Sequence, residues 1–489
     1  MKVLHVASEA APWAQTGGLA DVVGSLPAAQ ARVAGAGFEV AALLPLYRGV
    51  SERARARGVI LEPTGIEVSA DLGGAPVSGK IVAATHGRTR GAGDRVFFVD
   101  SPVLYDRPGG LYGSDGGDHP DNAVRFAFLA RAAVDAGARL LGGLDLVHCH
   151  DWQSGLVPVY LAQSAQPVPT VFTVHNLAYQ GLFPAEVAPV LGIDWSMMTH
   201  DQLEFFGSLS FIKGGLAFAD AVTTVSPTYA HEILTPEHGG GLHGFLTHHV
   251  RSLTGILTGI DTEAWDPTAD PALPVAFRPG RLAGKAVCRD ALAEELDLAL
   301  TGDDLLCVVI SRFAAQKGMD LVADIIPELF HAGAKLAVLG TGDPALEERF
   351  AWLAERFRNH LSVHVDFDVP LAHRMYAAGD VLLMPSRFEP CGLNQMYAMR
   401  YGTLPIVHSV GGLHDTVIDP DDDAARATGF CFTTPTAVSL WAALQRASAV
   451  RAGQPQLWRT MIDSAMSRDW SWNASARRYL DLYRSVIDD

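Results

Sequence analysis

Several short segments of this chain set reactive side chains beside glycines. Gln15-Thr16-Gly17-Gly18-Leu19-Ala20-Asp21 places a glycine pair just ahead of a helical stretch. Two residues without side chains let the backbone approach a ligand closely, and a helix start offers unpaired N–H groups to a phosphate. The spacing is not Gly-x-Gly-x-x-Gly, so a nicotinamide cofactor is not indicated. Ser311-Arg312-Phe313-Ala314-Ala315-Gln316-Lys317-Gly318 carries two cations, Arg312 and Lys317, able to converge on one anion. A departing diphosphate gains negative charge as its bond to a sugar breaks, and fixed positive charge offsets it. By analogy with single oxyanion donors, one such group contributes ~3 kcal/mol. Ser386-Arg387-Phe388-Glu389-Pro390-Cys391-Gly392-Leu393-Asn394-Gln395 supplies a carboxylate, Glu389, that can accept hydrogen bonds from sugar hydroxyls, and Gly411-Gly412-Leu413 repeats the glycine pair. Asp151, in His148-Cys149-His150-Asp151-Trp152, and His175, in Thr173-Val174-His175-Asn176, can orient a sugar or an acceptor hydroxyl. His148 and His150 also fit a metal pair of the kind found in barrel hydrolases, but no later ligand histidines or barrel periodicity accompany them. Taken singly, every segment has a structural reading as well: a tight turn for Gly17-Gly18, a surface ion pair for Arg312 and Lys317, a helix-start cap for Glu389. The pair His248-His249 reads as a solvated helix face.

The elements that must hold these residues alternate in type. Apolar runs at Lys2–Ala7, Phe38–Leu44, Leu144–Cys149, Thr170–Val174 and Ala221–Val225 are each followed by a turn and, mostly, a helical pattern. Ser226-Pro227 fits a helix cap with proline in the first turn. Between Gly255 and Gly280 the periodicity lapses, and a second series follows: Leu305–Ile310, Lys335–Leu339, Leu361–Val365, Val381–Met384 and Leu404–Val407. One helix is expected from about Lys317 to Phe330, and an amphipathic one over Ala474–Ile487. Such alternation indicates parallel sheets covered on both faces. The expected architecture is α/β, with two doubly wound Rossmann-like domains facing each other across a cleft. Boundaries fall at 1–258, 259–470 and 471–489, the last segment a helix crossing back to the first domain. Ligands of such sheets bind at the carboxyl ends of the strands.

Composition narrows the function. Thirty-seven basic against fifty-four acidic residues give a net charge of −17, which disfavours a nucleic-acid partner. The five cysteines are odd in number, widely spaced and without Cys-x-x-Cys, as in a reducing compartment. The opening run is broken by His5, Ser8 and Glu9 and does not read as a secretory signal. No run is long enough for a membrane helix. A cytoplasmic protein without a membrane partner is expected.

In order along the chain, HVASEAAPWAQTGGLADVVGSLP, LYDRPGGLYG, HCHDWQSGL, FTVHNLAYQGLFP, FIKGGL, TTVSPTYAHEI, GILTGIDTEAWDP, SRFAAQKGMDL, PSRFEPCGLNQMYAMRYGTLP and VGGLHDTV resemble the motifs of bacterial glycogen synthases and plant starch synthases. These are retaining transferases of glycosyltransferase family 5 with the GT-B fold. The resemblance implies transfer of glucose from ADP-glucose to the non-reducing end of an α-1,4-glucan such as glycogen, with release of ADP, no cofactor and no catalytic metal. It implies that Arg312 and Lys317 hold the donor diphosphate and that Glu389 contacts the donor glucose. Cys391, Gly392, Leu393, Gly411 and Gly412 would lie near sugar and phosphate as backbone donors. His175 and Asp151 would face the transferred glucose, Gly17 and Gly18 would approach the phosphates, and Phe367 would stack on adenine. One position departs from the family pattern: Gln15 stands where these enzymes usually carry lysine, and a neutral amide supplies no ammonium charge to the phosphates. Weaker donor binding is expected. Asn394 and Gln153 are milder departures. Other readings remain open at this point: a sucrose synthase-like or maltose-1-phosphate-forming transferase, a weakly catalytic glucan- or nucleotide-binding protein, and a metal-dependent amidohydrolase.

Overall fold

The computed structural model describes residues 1–86, 95–114 and 117–488. Met1–Gly259 with the chain from Trp472 onward forms one compact unit, and Ile260–Ser471 forms another.

The first unit is built on β1 (Lys2–Val6), β2 (Glu39–Pro45), β3 (Val59–Leu72), β4 (Ala75–His86), β5 (Arg95–Asp100), β6 (Leu146–His150), β7 (Thr170–Val174), β8 (Ala221–Thr224) and β9 (Leu253–Gly255). They make a nine-stranded sheet in the order β9-β8-β7-β6-β1-β2-β5-β4-β3. Pairing is parallel from β9 through β5. Only the β3–β4 hairpin at the edge runs antiparallel to its neighbours. The residues of β6 and β7 are buried throughout, as apolar strands covered on both faces require. One face packs against two helices, Gly18–Ala34 and Trp472–Asp488, in a core that includes Val3, Val22, Leu26, Val171, Trp472 and Tyr479. The last helix thus packs on the first unit's sheet. Ser226 caps its helix as its sequence suggests, accepting from the Tyr229 N–H.

The second unit carries β10 (Leu305–Ile310), β11 (Ala334–Leu339), β12 (Leu361–His364), β13 (Val381–Met384), β14 (Leu404–His408) and β15 (Phe430–Phe432). Its sheet is wholly parallel, in the order β12-β11-β10-β13-β14-β15. The single helix expected from Lys317 to Phe330 is instead a 3-10 turn at Ala315–Lys317 and two short helices, Met319–Asp324 and Ile326–His331. Pro327 accounts for the break, because it has no N–H to give and seats best in a helix's first turn.

Candidate active site

The strand order of the second sheet reverses between β10 and β13. Connections leave that point in opposite directions, which opens a crevice at the carboxyl ends of the two strands. Lys317 stands on the loop after β10 and Glu389 on the loop after β13. Lys317 Nζ donates to Glu389 Oε2 at 2.6 Å, and Ser386 Oγ donates to the same oxygen at 3.0 Å. The two loops are stitched together on either side of this pair. Arg387 grips Asp320 with both terminal nitrogens, at 2.8 and 2.6 Å, and so holds the Asp320 carboxyl below the usual carboxylate range. The Arg387 N–H donates to the Gln316 carbonyl at 2.8 Å, and Gln316 Nε2 donates to the Phe388 carbonyl at 3.2 Å. Gly318, at φ 67°, lets the first loop lie against the second; a Cβ there would sit 2.2 Å from the Pro385 carbonyl oxygen.

Arg312 occupies the same loop as Lys317 and is exposed; its carbonyl accepts from Ser311 Oγ at 3.3 Å, and its guanidinium has no hydrogen-bond or ion-pair partner among the described residues. Cys391 is buried, its carbonyl accepting from Gln395 Nε2 at 3.0 Å, while Gly392 takes φ 72° and Leu393 precedes the helix Asn394–Arg400. Gly411 and Gly412 follow β14, the next strand along. The Gly412 N–H is shared between the carbonyls of Glu389 and Pro390, at 3.2 Å each, so it is not a donor left over for a ligand. The glycine pair supplies clearance instead: a Cβ at 411 would lie 2.0 Å from the Glu389 carbonyl oxygen, and one at 412 would lie 2.1 Å from that of Cys391. Phe367 sits beyond β12, two strands away from β10, with 76% of its surface exposed.

The first unit gathers a second group. Gln15 is exposed, and its amide donates to Asp21 Oδ1 at 3.3 Å. Gly17 is extended and Gly18 begins the helix that follows. The loop ahead of them is pinned by Glu9, whose buried carboxylate takes the N–H and, at 2.6 Å, the hydroxyl of Thr16, together with the Tyr112 hydroxyl at 2.5 Å. Asp151, at the end of β6, has φ 56° and ψ −178°. That region is nearly reserved for glycine and costs ~1–3 kcal/mol, a strain that clusters at functional positions. Burial pushes its carboxyl up to about 7, against the pull of N–H groups from His175 and Asn176. The His175 N–H donates to Asp151 Oδ1 at 2.7 Å, and His175 Nε2 lies 3.0 Å from His150 Nδ1. Burial lowers His175 to about 3, so its ring is neutral at ordinary pH.

The structure therefore brings Lys317 together with Glu389, and Asp151 with His175. It leaves Phe367 apart from the first pair and turns Gln15 toward Asp21. Glu9, Tyr112, Ser386, Gln316 and the Arg387–Asp320 fork were not singled out in the sequence. Most lie within the quoted motifs, but their pairing depends on distant partners.

Chemically, the second unit offers an ammonium for a phosphate beside a carboxylate for hydroxyls, with an exposed guanidinium, that of Arg312, on the same loop as the ammonium. The first offers an imidazole and a carboxyl at a strained strand end. Known proteins share this framework. The family profile for the starch synthase catalytic domain matches residues 2–248, and that for glycosyl transferases group 1 matches residues 304–448. A glycogen synthase of Anaeromyxobacter dehalogenans (strain 2CP-C) is 48% identical over 99% of this chain and 100% of its own length. One from Roseobacter denitrificans is 43% identical over 100% of both chains. Among solved structures, the catalytic domain of starch synthase IV from Arabidopsis thaliana, bound to ADP and acarbose, superposes with a TM-score of 0.89 at 33% identity, covering 100% of this chain and 99% of that one. A sucrose-phosphate synthase from Thermosynechococcus elongatus shares the fold, with a TM-score of 0.61 at 21% identity and coverage of 100% and 99%.

Proposed function

The chain belongs to the glycogen synthase and starch synthase family of glycosyltransferases, and from that premise we propose that it lengthens an α-1,4-glucan with glucose from ADP-glucose. The observation that carries this reading is the Lys317–Glu389 pair at the reversal of a parallel sheet, where a cation for the diphosphate and a carboxylate for the hexose stand together. Arg312, on the same loop and with its guanidinium unpaired among the described residues, completes the positive charge toward the leaving group. The bond from the sugar's anomeric carbon to the diphosphate breaks, its electron pair leaves with ADP, and Lys317 and Arg312 offset the charge that develops. The acceptor's 4-hydroxyl oxygen forms the new bond on the face that ADP vacates, with retained configuration, and its proton passes to a departing phosphate oxygen. Gly17 and Gly18 give the phosphates room for close backbone approach. Asp151 and His175 hold hydroxyls of the transferred glucose, Cys391, Gly392 and Leu393 line the sugar end, and Phe367 stacks on the adenine. Neither a cofactor nor a catalytic metal is part of this reading. The protein works in the cytoplasm; its five cysteines are unpaired, as a reducing compartment keeps them. No helix among the described residues is long and apolar enough to cross a membrane.

The test is a competition between ADP-glucose and UDP-glucose with glycogen as primer, followed by analysis of the product. Chain elongation with release of ADP, and preference for the adenine donor, is the expected result. Free maltose 1-phosphate or sucrose as the product, or donor binding without elongation, overturns the proposal.

A further inference from the structure

Behind His175 the first unit buries a row of polar rings with no place in the reaction described so far. His150 Nε2 lies 3.0 Å from His5 Nδ1, and His5 Nε2 lies 2.9 Å from Gln30 Oε1. Gln30 Nε2 donates to the Tyr483 hydroxyl at 2.8 Å, Tyr483 lies 2.6 Å from His148 Nδ1, and His148 Nε2 lies 2.6 Å from Thr173 Oγ1. Thr173 in turn lies 2.5 Å from Thr223 Oγ1. His5, Gln30, His148, His150, Thr173 and Thr223 are fully buried, as is Tyr483.

Nitrogen atoms of His5, His148 and His150 all lie within 4.8 Å of one another, close enough to suggest a metal. Each of the six ring nitrogens already has a partner inside the protein, so an ion would have to break hydrogen bonds that the fold satisfies. The arrangement fits a relay better than a ligand set.

Its polarity follows from one amide. Gln30 Oε1 has no proton, so His5 Nε2 must carry one. Burial lowers His5 to about 4 and holds His148 and His150 well below the usual histidine range, which leaves each ring one proton only. His5 is therefore bare at Nδ1 and accepts from His150 Nε2–H. His150 is then bare at Nδ1 and accepts from His175 Nε2–H. Down the other arm, Tyr483 takes the Gln30 amide proton on its oxygen and gives its own to His148 Nδ1. Along the arm to His175 every step is forced by the one before it.

We propose that this relay, running from Tyr483 of the last helix through Gln30, His5 and His150, holds His175 as the Nε2–H tautomer with a bare Nδ1 that accepts a substrate hydroxyl. Tyr483, Gln30, His5 and His150 are thereby positioning residues, four side chains that touch no substrate but decide which face of a hydrogen bond His175 presents. His175 Nδ1 has no hydrogen-bond partner among the described residues, which is what an acceptor reserved for substrate requires. The inference rests on His175 contacting the transferred sugar. Reversal of the Gln30 amide would reverse the whole row and turn that acceptor into a donor.

The test uses the full chain labelled with 15N at histidine, with long-range proton–nitrogen correlation spectra reporting which nitrogen of each ring is protonated. His175 is assigned by the signals lost in His175→Asn. In the natural sequence His175 is expected as the Nε2–H form alone; an Nδ1–H form, an imidazolium or an equal mixture overturns the proposal outright. Gln30→Met keeps the side chain's length and removes the acceptor, so it should give a mixture at His175. His5→Phe breaks the row one step nearer and should do the same. In both variants kcat should fall in proportion to the lost Nε2–H fraction, about twofold for an even mixture, with a smaller change in donor KM. Variants that keep His175 wholly as Nε2–H overturn the relay. A changed tautomer with unchanged kcat overturns its catalytic purpose and places the fault in the reading of His175 as a sugar contact. The natural protein's spectrum decides the tautomer even where a variant does not fold.

Discussion

The ion pair of Lys317 and Glu389 makes the two residues unequal in what their loss would do. Glu389→Ala leaves the Lys317 ammonium in a mostly enclosed corner and removes the acceptor for the sugar. kcat should fall by roughly two to three decades, the scale of one lost electrostatic contact to a transition state. Glu389→Gln keeps the shape and an oxygen for Ser386 and Lys317 but not the charge, so it should lie between. Steady-state kinetics with ADP-glucose decides; an alanine variant keeping more than a tenth of the natural kcat rules Glu389 out of the central role. Gln15 carries a second expectation. Gln15→Lys should lower donor KM about threefold, no more, because exposed charge pairs are weak and Asp21, 3.3 Å from the present amide, competes for the new ammonium. The gain should shrink at high salt, and an unchanged KM in dilute buffer contradicts it. What the sequence alone conveyed about these residues was their kind and their place at strand ends, since glycines and charged groups after apolar runs are local signals. Their partners were not legible: Lys317 and Glu389 are 72 residues apart, Arg387 and Asp320 67, and Gln30 and Tyr483 453. Nothing local marks such pairs.

Three adjacent strands, β1, β6 and β7, present the buried histidines, and His5 lies directly across from His148 in the register. Burying that many imidazoles makes the sheet's stability depend on pH. In the folded chain His5 titrates at about 4 and His175 at about 3, with His148 and His150 also well below 6.5. Between about pH 4 and 6.5 the unfolded chain therefore binds protons that the folded one declines. Stability from these four groups is present above 6.5 and is lost as pH falls. Asp151 acts the other way, because its carboxyl is raised to about 7 and the folded chain holds a proton there that the unfolded chain releases above about 3.8. The histidines outnumber it, so unfolding near pH 5 should take up about three protons from this group. Urea midpoints measured at pH 7, 6 and 5 should fall, and His150→Gln should flatten the slope by about one proton. A slope identical to that of the natural protein contradicts the assignment. The elements themselves were unevenly readable. Thr170–Val174, Leu305–Ile310 and Val381–Met384 agree to the residue with their apolar runs, because strands buried on both faces leave an unbroken hydrophobic stretch. The hairpin β3–β4 was missed, since edge strands with one wet face carry a mixed pattern. Its signal was Gly73-Gly74, both at positive φ (78° and 73°), the pair that a two-residue hairpin turn demands.

At the scale of the whole chain, the first unit is discontinuous: it is made from Met1–Gly259 and from the helix that follows Ser471, with the second unit's sequence inserted between them. That helix is not an appendage. Trp472, Ala476, Tyr479, Leu480 and Tyr483 are at most 5% exposed and share one core with Val3, Leu26, Leu146 and Val171. Four of the five are large, and each contributes roughly 1.5–3 kcal/mol by leaving water, a sum comparable with the whole stability of an ordinary domain. Removal also strips Gln30 Nε2 and His148 Nδ1 of the Tyr483 hydroxyl, about 1–3 kcal/mol for each buried group left unpaired. During synthesis the second unit's strands all emerge before this helix, so the first unit must wait for the end of the chain to close its core. A chain ended at Ser471 should show this in hydrogen exchange. Amides of β1, β6 and β7 should lose their protection, while those of β10, β13 and β14 keep theirs. Tyr483→Phe, which removes one oxygen and leaves the packing, unpairs the same two groups and should lower the stability of the first unit by about 2–6 kcal/mol, less than loss of the whole helix. Full protection of β1 and β6 in the shortened chain would mean that the helix merely rests on a core complete without it, and the relay's anchor would then have to be sought on the sheet rather than on Tyr483.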